Sequence, residues 1–348
     1  MGEHSKFSPS SAARIIACPG SYYLNRDAPH TTNAAAEEGT LAHAYCEAIL
    51  TNKEPPIVSE EMKDNCSLYI DYVNRLRDRG YTVLIEARVS FDDMLGITGG
   101  FGTADCIAIK DNRMEVIDLK YGQVKVSAEN NPQLQLYALG AWELIRDFIG
   151  HNVINDVALS IIQPKHDIID TWKVPSLGEL MVFAMYTGGT FKHAESLQED
   201  TYKRNLRVSE SACKYCPSYY KCEAFEKIPE KIKDETMTLE EKLDMIPLLE
   251  KWAMRVREDA TSHLMFGGEI EGWELGMGRR GNAEWKDEKA AMDYLLSFDI
   301  DKDNITEIVS PTKVFKFLKK DADILVNLEQ DHIVRKEPKK DVLKRKTT

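Results

Sequence analysis

The stretch Gly96–Gly122, GITGGFGTADCIAIKDNRMEVIDLKYG, constrains this chain more than any other. Two β-patterned runs flank Asp111, Asn112 and Arg113, a favourable turn sequence, so it reads as an antiparallel hairpin. Val116, Ile117 and Leu119 are typical of a buried strand. Asp118 and Lys120 are not, and residues two apart on a strand point to one face. Alone they would be an ion pair on a solvated face. Asp105, thirteen residues earlier (118 − 105), changes that reading. With the turn near residue 112, Asp105 and Asp118 fall roughly opposite each other. Two acids and a lysine then share one end of a sheet, and acids packed together repel unless a cation lies between them. That pattern suits Mg2+ or Mn2+.

The flanking patterns build an α/β sandwich around this hairpin. The segment SPSSAARIIACPGSYYL starts a short helix near Ser10 or Ser11, broken at Cys18-Pro19-Gly20. AAAEEGTLAHAYCEAIL and SEEMKDNCSLYIDYVNRLRDRG read as amphipathic helices, the second ending at Gly80. YTVLIEARVSF is β-like, and PQLQLYALGAWELIRDF is a helix with Pro132 at its start. INDVALSIIQPKH and IIDTWKVPS are further strands, and SLGELMVFAMYTGGTFKHAESLQ is helical with an interruption at Gly188-Gly189. TLEEKLDMIPLLEKWAMRVREDATSHLMFGG predicts a long helix kinked at Pro247. WELGMGRRGNAEWKDEKAAMDYLLSFDI predicts a strand pair and a helix. The expected division is residues 1–230, 231–334 and a basic flexible tail, 335–348.

Helical spacing adds groups near the hairpin. His43 and Glu47 are four apart on one helix face, as are Gln133 and Tyr137 on the helix after the hairpin. Taken singly, His43 reads as a structural histidine, Glu47 as a surface acid, and Gln133 and Tyr137 as ordinary helix residues.

Seven cysteines, an odd number, with no apparent export signal argue against a disulfide framework. Cys46, Cys66 and Cys106 fall in helix or strand patterns and read as core residues. CKYCPSYYKC places Cys213, Cys216 and Cys222 in a C-x2-C-x5-C spacing, and Cys18 lies in a loop-like setting far upstream. The spacing fits a structural Zn2+ site and an iron–sulfur centre equally.

The formal net charge of −12 does not suggest wholesale coating of nucleic acid, but it leaves room for a local channel. The tail RKEPKKDVLKRKTT carries seven Lys/Arg against two Asp/Glu, hence +5, and suits solubility or phosphate contact. No apolar run reaches membrane-spanning length, so a cytoplasmic protein without membrane association is expected.

GTLAH with His43, GTAD with Asp105, IDLK with Asp118 and Lys120, and QLQLY with Gln133 and Tyr137 together resemble the successive motifs of the RecB-like branch of PD-(D/E)xK nucleases. The resemblance covers residues 8 to 226 and implies a restriction-endonuclease-like core, a mixed sheet flanked by helices. It implies that His43, Asp105 and Asp118 hold Mg2+ or Mn2+, with Glu47 reaching the metal through water. It implies that Lys120 is catalytic and that Gln133 and Tyr137 position substrate. Cys18 with Cys213, Cys216 and Cys222 resembles the iron–sulfur staple of AddB-type and CRISPR-associated members, which implies a structural [4Fe-4S] cluster. The layout, including SPSSAARIIACPGS, is also similar to a phage-associated set of such proteins. The expected activity is a metal-dependent deoxyribonuclease, an exonuclease on DNA ends in recombination, replication or repair, working with a single-strand-binding or annealing protein. The alternatives are a catalytically inactive DNA-binding or assembly subunit with the same fold, and an iron–sulfur redox protein. In the C-terminal third, Arg279, Arg280, Trp273 and Trp285 suit either single-stranded nucleic acid or a small-domain core.

Overall fold

In the computed structural model the described residues are 5–28, 34–146, 154–277, 283–297, 328, 331, 333–335 and 341–345. They divide into two compact units, Met1–Trp252 and Ala253–Thr348.

The first unit opens with a 3-10 turn, Pro9–Ser11, and the short helices α1 (Ala12–Ala17) and α2 (Gly20–Asn25). Helices α3 (Ala34–Leu50) and α4 (Glu60–Asp78) follow. The Ser59 hydroxyl caps α4 by accepting from Met62 N–H, and Gly80, at φ 82°, takes the left-handed turn after its end. Strand β1 (Thr82–Ser90), a one-turn helix α5 (Asp92–Leu95) and strands β2 (Phe101–Lys110) and β3 (Arg113–Leu119) come next. Lys110 pairs with Arg113, so the hairpin turn is only Asp111 and Asn112, with Asp111 at φ 53°.

Helix α6 (Pro132–Ile145) then carries the chain across, so that β4 (Asp156–Gln163) lies parallel to β3. Strand β5 (Ile168–Lys173) closes the sheet antiparallel to β4. The result is a mixed five-stranded sheet in the order β1-β2-β3-β4-β5. Helix α7 (Leu177–Ser196) joins α6 and α1 on one face, over a core that includes Phe7, Phe91, Ile107, Val116 and Leu139. Helices α3 and α4 cover the other face around Cys66, Tyr69, Val73, Ile117 and Leu119. This α/β architecture is the one expected.

Three expectations are corrected. Helix α7 runs through Gly188-Gly189 without a break. Gly188 is needed for close approach: a Cβ there would lie 2.3 Å from the Leu95 carbonyl oxygen, whereas one at Gly189 would meet nothing within 4 Å. The long helix is two, Leu239–Asp244 and Ile246–Met265. Pro247 lacks the N–H that a continuous helix requires, so it sits in the first turn of a new one. In the second unit, the strands Trp273–Met277 and Ala283–Trp285 do not pair with each other. The first pairs with Asp341–Arg345 and the second with Ile333–Arg335, so part of the expected flexible tail is strand. A helix, Glu288–Leu296, capped by Asp287, lies between them in sequence. Arg279 and Arg280 lie outside the described residues, as does the side chain of Trp285.

Candidate metal centre

The site grows from a defect shared by β1 and β2. Ile85 pairs with Cys106 and Ala87 with Ala104, with no residue inserted between them. Alternation should keep Ile85 and Ala87 on one face. Instead Val83, Ile85, Cys106 and Ala108 join the α3–α4 layer, whereas Ala87, Val89 and Ala104 join the α6–α7 layer. The pleat changes phase at the pair between them, Glu86 and Asp105. Glu86 absorbs the change in the left-handed region, at φ 50°, a costly conformation for a residue with a Cβ.

The next ladder is broken too. The β2–β3 register ends at Cys106 and Ile117, which extrapolates Asp105 to Asp118. There the Asp105 carboxylate replaces a backbone partner: Leu119 N–H donates to its Oδ2 at 2.7 Å. Its Oδ1 lies 3.3 Å from His43 Nδ1 on α3. His43, Glu86 and Asp105 each bring a ligand atom to within 4.8 Å of the others, the group among the described residues fit to hold a metal ion. Sequence reasoning missed Glu86. Its one signal was a lone acid inside the β-like run YTVLIEARVSF.

Asp118 stands beside this trio rather than in it. It is buried, with Lys120 Nζ 2.7 Å from its Oδ2 and Gln133 Nε2 donating to its Oδ1 at 3.2 Å. The Lys120 contact is an ion pair, and Oδ2 has no aligned hydrogen-bond donor. Lys120 also donates to Gln133 Oε1 at 3.2 Å, and Gln133 Nε2 to the Tyr137 hydroxyl at 3.4 Å. The start of α6 sets this up. Asn131 Oδ1 accepts from the N–H groups of Gln133 and Leu134, holding the first turn so that Gln133 faces β3. Glu47, expected to serve the metal, is one turn from His43 but forms an ion pair with Lys53 at 2.8 Å.

The electrostatics are those of an acidic cluster suited to a cation. Burial, followed by the charge of Asp105, pushes Glu86 up to about 7. Burial pushes Asp118 up to about 6, against the pull of Lys120. Burial works against charge on His43 and Lys120, yet both are raised, by Asp105 and Asp118 respectively. Burial keeps Tyr137 a phenol by raising it well above its ordinary range. A buried, unaligned carboxylate oxygen next to three convergent ligand atoms fits a divalent ion with oxygen and imidazole ligands.

A second constellation lies apart from this one. Cys18, Cys213, Cys216 and Cys222 are all buried, and Cys18, Cys213 and Cys222 share one cluster with Leu24, Phe225 and Ile228. Arg207 N–H donates to Cys18 Sγ at 3.2 Å, and Asn25 Nδ2 to Cys216 Sγ at 3.4 Å. Burial raises Cys18 and Cys222 and lifts Cys213 to about 11. No three of these sulfurs lie within 4.8 Å of one another among the described residues. Cys46, Cys66 and Cys106 are buried in the α3–α4 core, as expected.

Among solved structures, the alkaline exonuclease LHK-Exo from Laribacter hongkongensis is 12% identical, over 54% of this chain and 87% of its own, with a TM-score of 0.27. The protein SSO0001 is 14% identical over 61% and 85%, with a TM-score of 0.28. LHK-Exo in complex with dAMP gives 13%, 54% and 95%, and 0.24. Superpositions this loose do not bear on what the chain does. The sequence match is far more extensive: residues 4–347, nearly the whole chain, match the family described as "Protein of unknown function (DUF2800)", and the chain belongs to that family.

Proposed function

We propose that this protein is a metal-dependent deoxyribonuclease, an exonuclease acting on DNA ends. The observation that carries the reading is the convergence of His43, Glu86 and Asp105 beside the Asp118–Lys120–Gln133 network. His43, Glu86 and Asp105 would hold Mg2+ or Mn2+, with Asp118 adjoining, and the imidazole favours Mn2+. The bound ion supplies an acidified water and a charge for a phosphate oxygen.

The chain's own residues do the rest. Lys120 remains an ammonium because Asp118 faces it, so it offers positive charge to a phosphoryl oxygen on which charge develops. Gln133 accepts from Lys120 and donates to Asp118, which fixes both rotamers without a net charge. Tyr137, a neutral phenol, closes the row and is available to donate to substrate.

The four cysteines are read as the ligands of a [4Fe-4S] cluster that ties residue 18 to residues 213–222. A tetrahedral Zn2+ site, with Zn–S bonds of about 2.3 Å, is the alternative for the same four ligands. The cluster's part is structural, since closing so long a loop stabilises the fold and hydrolysis transfers no electron. Iron analysis and loss of folding in Cys216→Ser test it; one equivalent of zinc and no iron overturns it.

Phage or bacterial recombination, replication or repair, in a bacterial cytoplasm, suits such an enzyme. A single-strand-binding or annealing protein is a suitable partner for a chain of charge −12. The test is an end-labelled oligonucleotide with Mn2+ or Mg2+ and anaerobically purified protein, against Asp118→Ala and Lys120→Ala. No cleavage by the wild type leaves the inactive DNA-binding subunit as the better reading.

A further inference from the structure

Helix α7 buries one side and leaves the other bare. Leu180, Ala184 and Phe191 pack into the core of the first unit. On the opposite side Val182, Met185 and Tyr186 are 66%, 78% and 61% exposed. Residues three and four apart share one side of a helix, so these three and Gly189 form a single stripe. A surface helix ordinarily carries charged and polar residues there. The adjacent glycines mark the difference between the two sides. Gly188 is closed off by the Leu95 carbonyl, whereas a Cβ at Gly189 would meet nothing within 4 Å. The stripe thus has bulk at Val182 and a notch at Gly189.

Its two ends carry opposite charges. Glu179 and Lys192 are exposed, and neither side chain enters a hydrogen bond or an ion pair among the described residues. Glu179 and Lys192 have the same midpoint as Val182 and Gly189, between Met185 and Tyr186. The stripe is therefore its own complement. A second α7 laid antiparallel on the first, about a two-fold axis at that midpoint, sets Val182 of each copy over Gly189 of the other. Gly189 permits the close approach because it has no side chain. The same arrangement brings Glu179 of each copy level with Lys192 of the other, within reach of both side chains at an interaxial distance of about 8–10 Å. Met185 and Tyr186 meet their own counterparts at the centre. A nucleic acid is a poor match for this surface, because the middle of the stripe carries no cation.

We propose that the exposed face of α7 is an interface with a second copy of this chain. The contact is isologous, with the same stripe on both sides, and it closes as a dimer. Burial of Val182, Met185 and Tyr186 from both copies supplies the favourable free energy. The charged ends set the direction, since parallel pairing would put Glu179 against Glu179 and Lys192 against Lys192. From Glu179 to Lys192 the stripe is about 20 Å long at helical rise. One helix of that length buries less than the roughly 800 Å2 per partner of a standard interface. The dimer is accordingly reversible, with a dissociation constant on the order of micromolar. It uses no residue of the metal centre and stands whether or not the chain is a nuclease.

The experiment is analytical ultracentrifugation of the full chain from about 1 to about 100 μM, with far-UV circular dichroism as the check on folding. The weight-average mass of the wild type doubles across that range. Met185→Glu puts a charge at the centre of the contact and raises the dissociation constant about 30-fold or more. Gly189→Gln fills the notch that Val182 needs and raises it about tenfold. Both positions are open in the single chain, so both variants keep the wild-type dichroism. Glu179→Lys and Lys192→Glu each raise the constant about fivefold, because a two-fold contact counts every substitution twice. Combining them restores the wild-type constant, since the reversed charges again face each other across the axis. A wild type that stays monomeric throughout overturns the interface. So does a dimer indifferent to Met185→Glu, which would be built on another surface. A trimer or an open series of oligomers overturns the two-fold arrangement. Losses that add in the double charge reversal, instead of cancelling, overturn the antiparallel pairing.

Discussion

Glu86 lies across the β1–β2 ladder from Asp105, and its backbone turns left-handed, at φ 50°, where the two strands change phase together. Strain, half-burial and like charge are concentrated at one pair. Without a cation all three disfavour the folded state, so the arrangement makes sense as a ligand set.

Removing the side chain should therefore trade function for stability. Glu86→Gly relieves the backbone by about 1 kcal/mol and removes a half-buried acid. The metal-free variant should melt above the metal-free wild type. Added Mn2+ should raise the melting temperature of the wild type but not of the variant. A variant that melts lower, or keeps the Mn2+ response, contradicts the role given to Glu86.

The same acids set a pH dependence. In the metal-free fold Glu86 is raised from 4.5 to about 7 and Asp118 from 3.8 to about 6. The native state then binds more protons than the unfolded chain between those limits, so metal-free stability falls as pH rises from about 4 to about 7. Divalent ions need the ionised acids and a neutral His43, whose own value is raised. Calorimetric titration should find Mn2+ binding tighter at pH 7.5 than at pH 5.5. Equal constants at the two pH values would be inconsistent with these shifts.

Asp118 is buried and pairs with a half-buried Lys120, and breaking the pair should cost more than deleting it. Lys120→Ala strands a buried carboxylate and should cost about 3 kcal/mol in urea unfolding. Combining Asp118→Asn with Lys120→Met should recover most of that loss, with no recovery of cleavage. Additive losses in the double variant would mean that the two side chains are not coupled.

Gly188 and Gly189 give a stability control far from the chemistry. Gly188→Ala drives a methyl into the Leu95 carbonyl and should cost about 1–3 kcal/mol. Gly189→Ala enters open space in a helix and should gain about 0.5–1 kcal/mol. Similar melting temperatures for the two variants would contradict the close packing of α5 on α7.

The β2–β3 hairpin was legible because strand period and turn chemistry agree locally: apolar runs flank Asp111-Asn112, and the register follows from where the turn falls. That register alone set Asp105 opposite Asp118. Glu86 escaped notice because nothing in YTVLIEARVSF fixes its partner; only pairing with β2, and a phase change that no alternation pattern encodes, brings it to Asp105. Glu47 shows what helical spacing leaves out. Its spacing from His43 is right for one helix face, but Lys53 claims its carboxylate. Gly188 looked like a helix breaker because local propensity cannot see the Leu95 carbonyl against which it packs. The strands at Trp273 and Ala283 read as a pair because they are neighbours in sequence, whereas their partners lie some fifty to seventy residues downstream.

The most direct measurement is the rate of oligonucleotide cleavage as a function of Mn2+ concentration, for wild type, Glu86→Gln and Lys120→Ala. The expected result is saturable cleavage by the wild type. Glu86→Gln should shift the half-saturating Mn2+ concentration upward by about 10–100-fold. Lys120→Ala should lose rate at saturating Mn2+, by about 100-fold, without that shift. Absence of cleavage by the wild type at every Mn2+ concentration, or a Glu86→Gln curve that overlays it, would contradict a metal-dependent nuclease built on His43, Glu86 and Asp105.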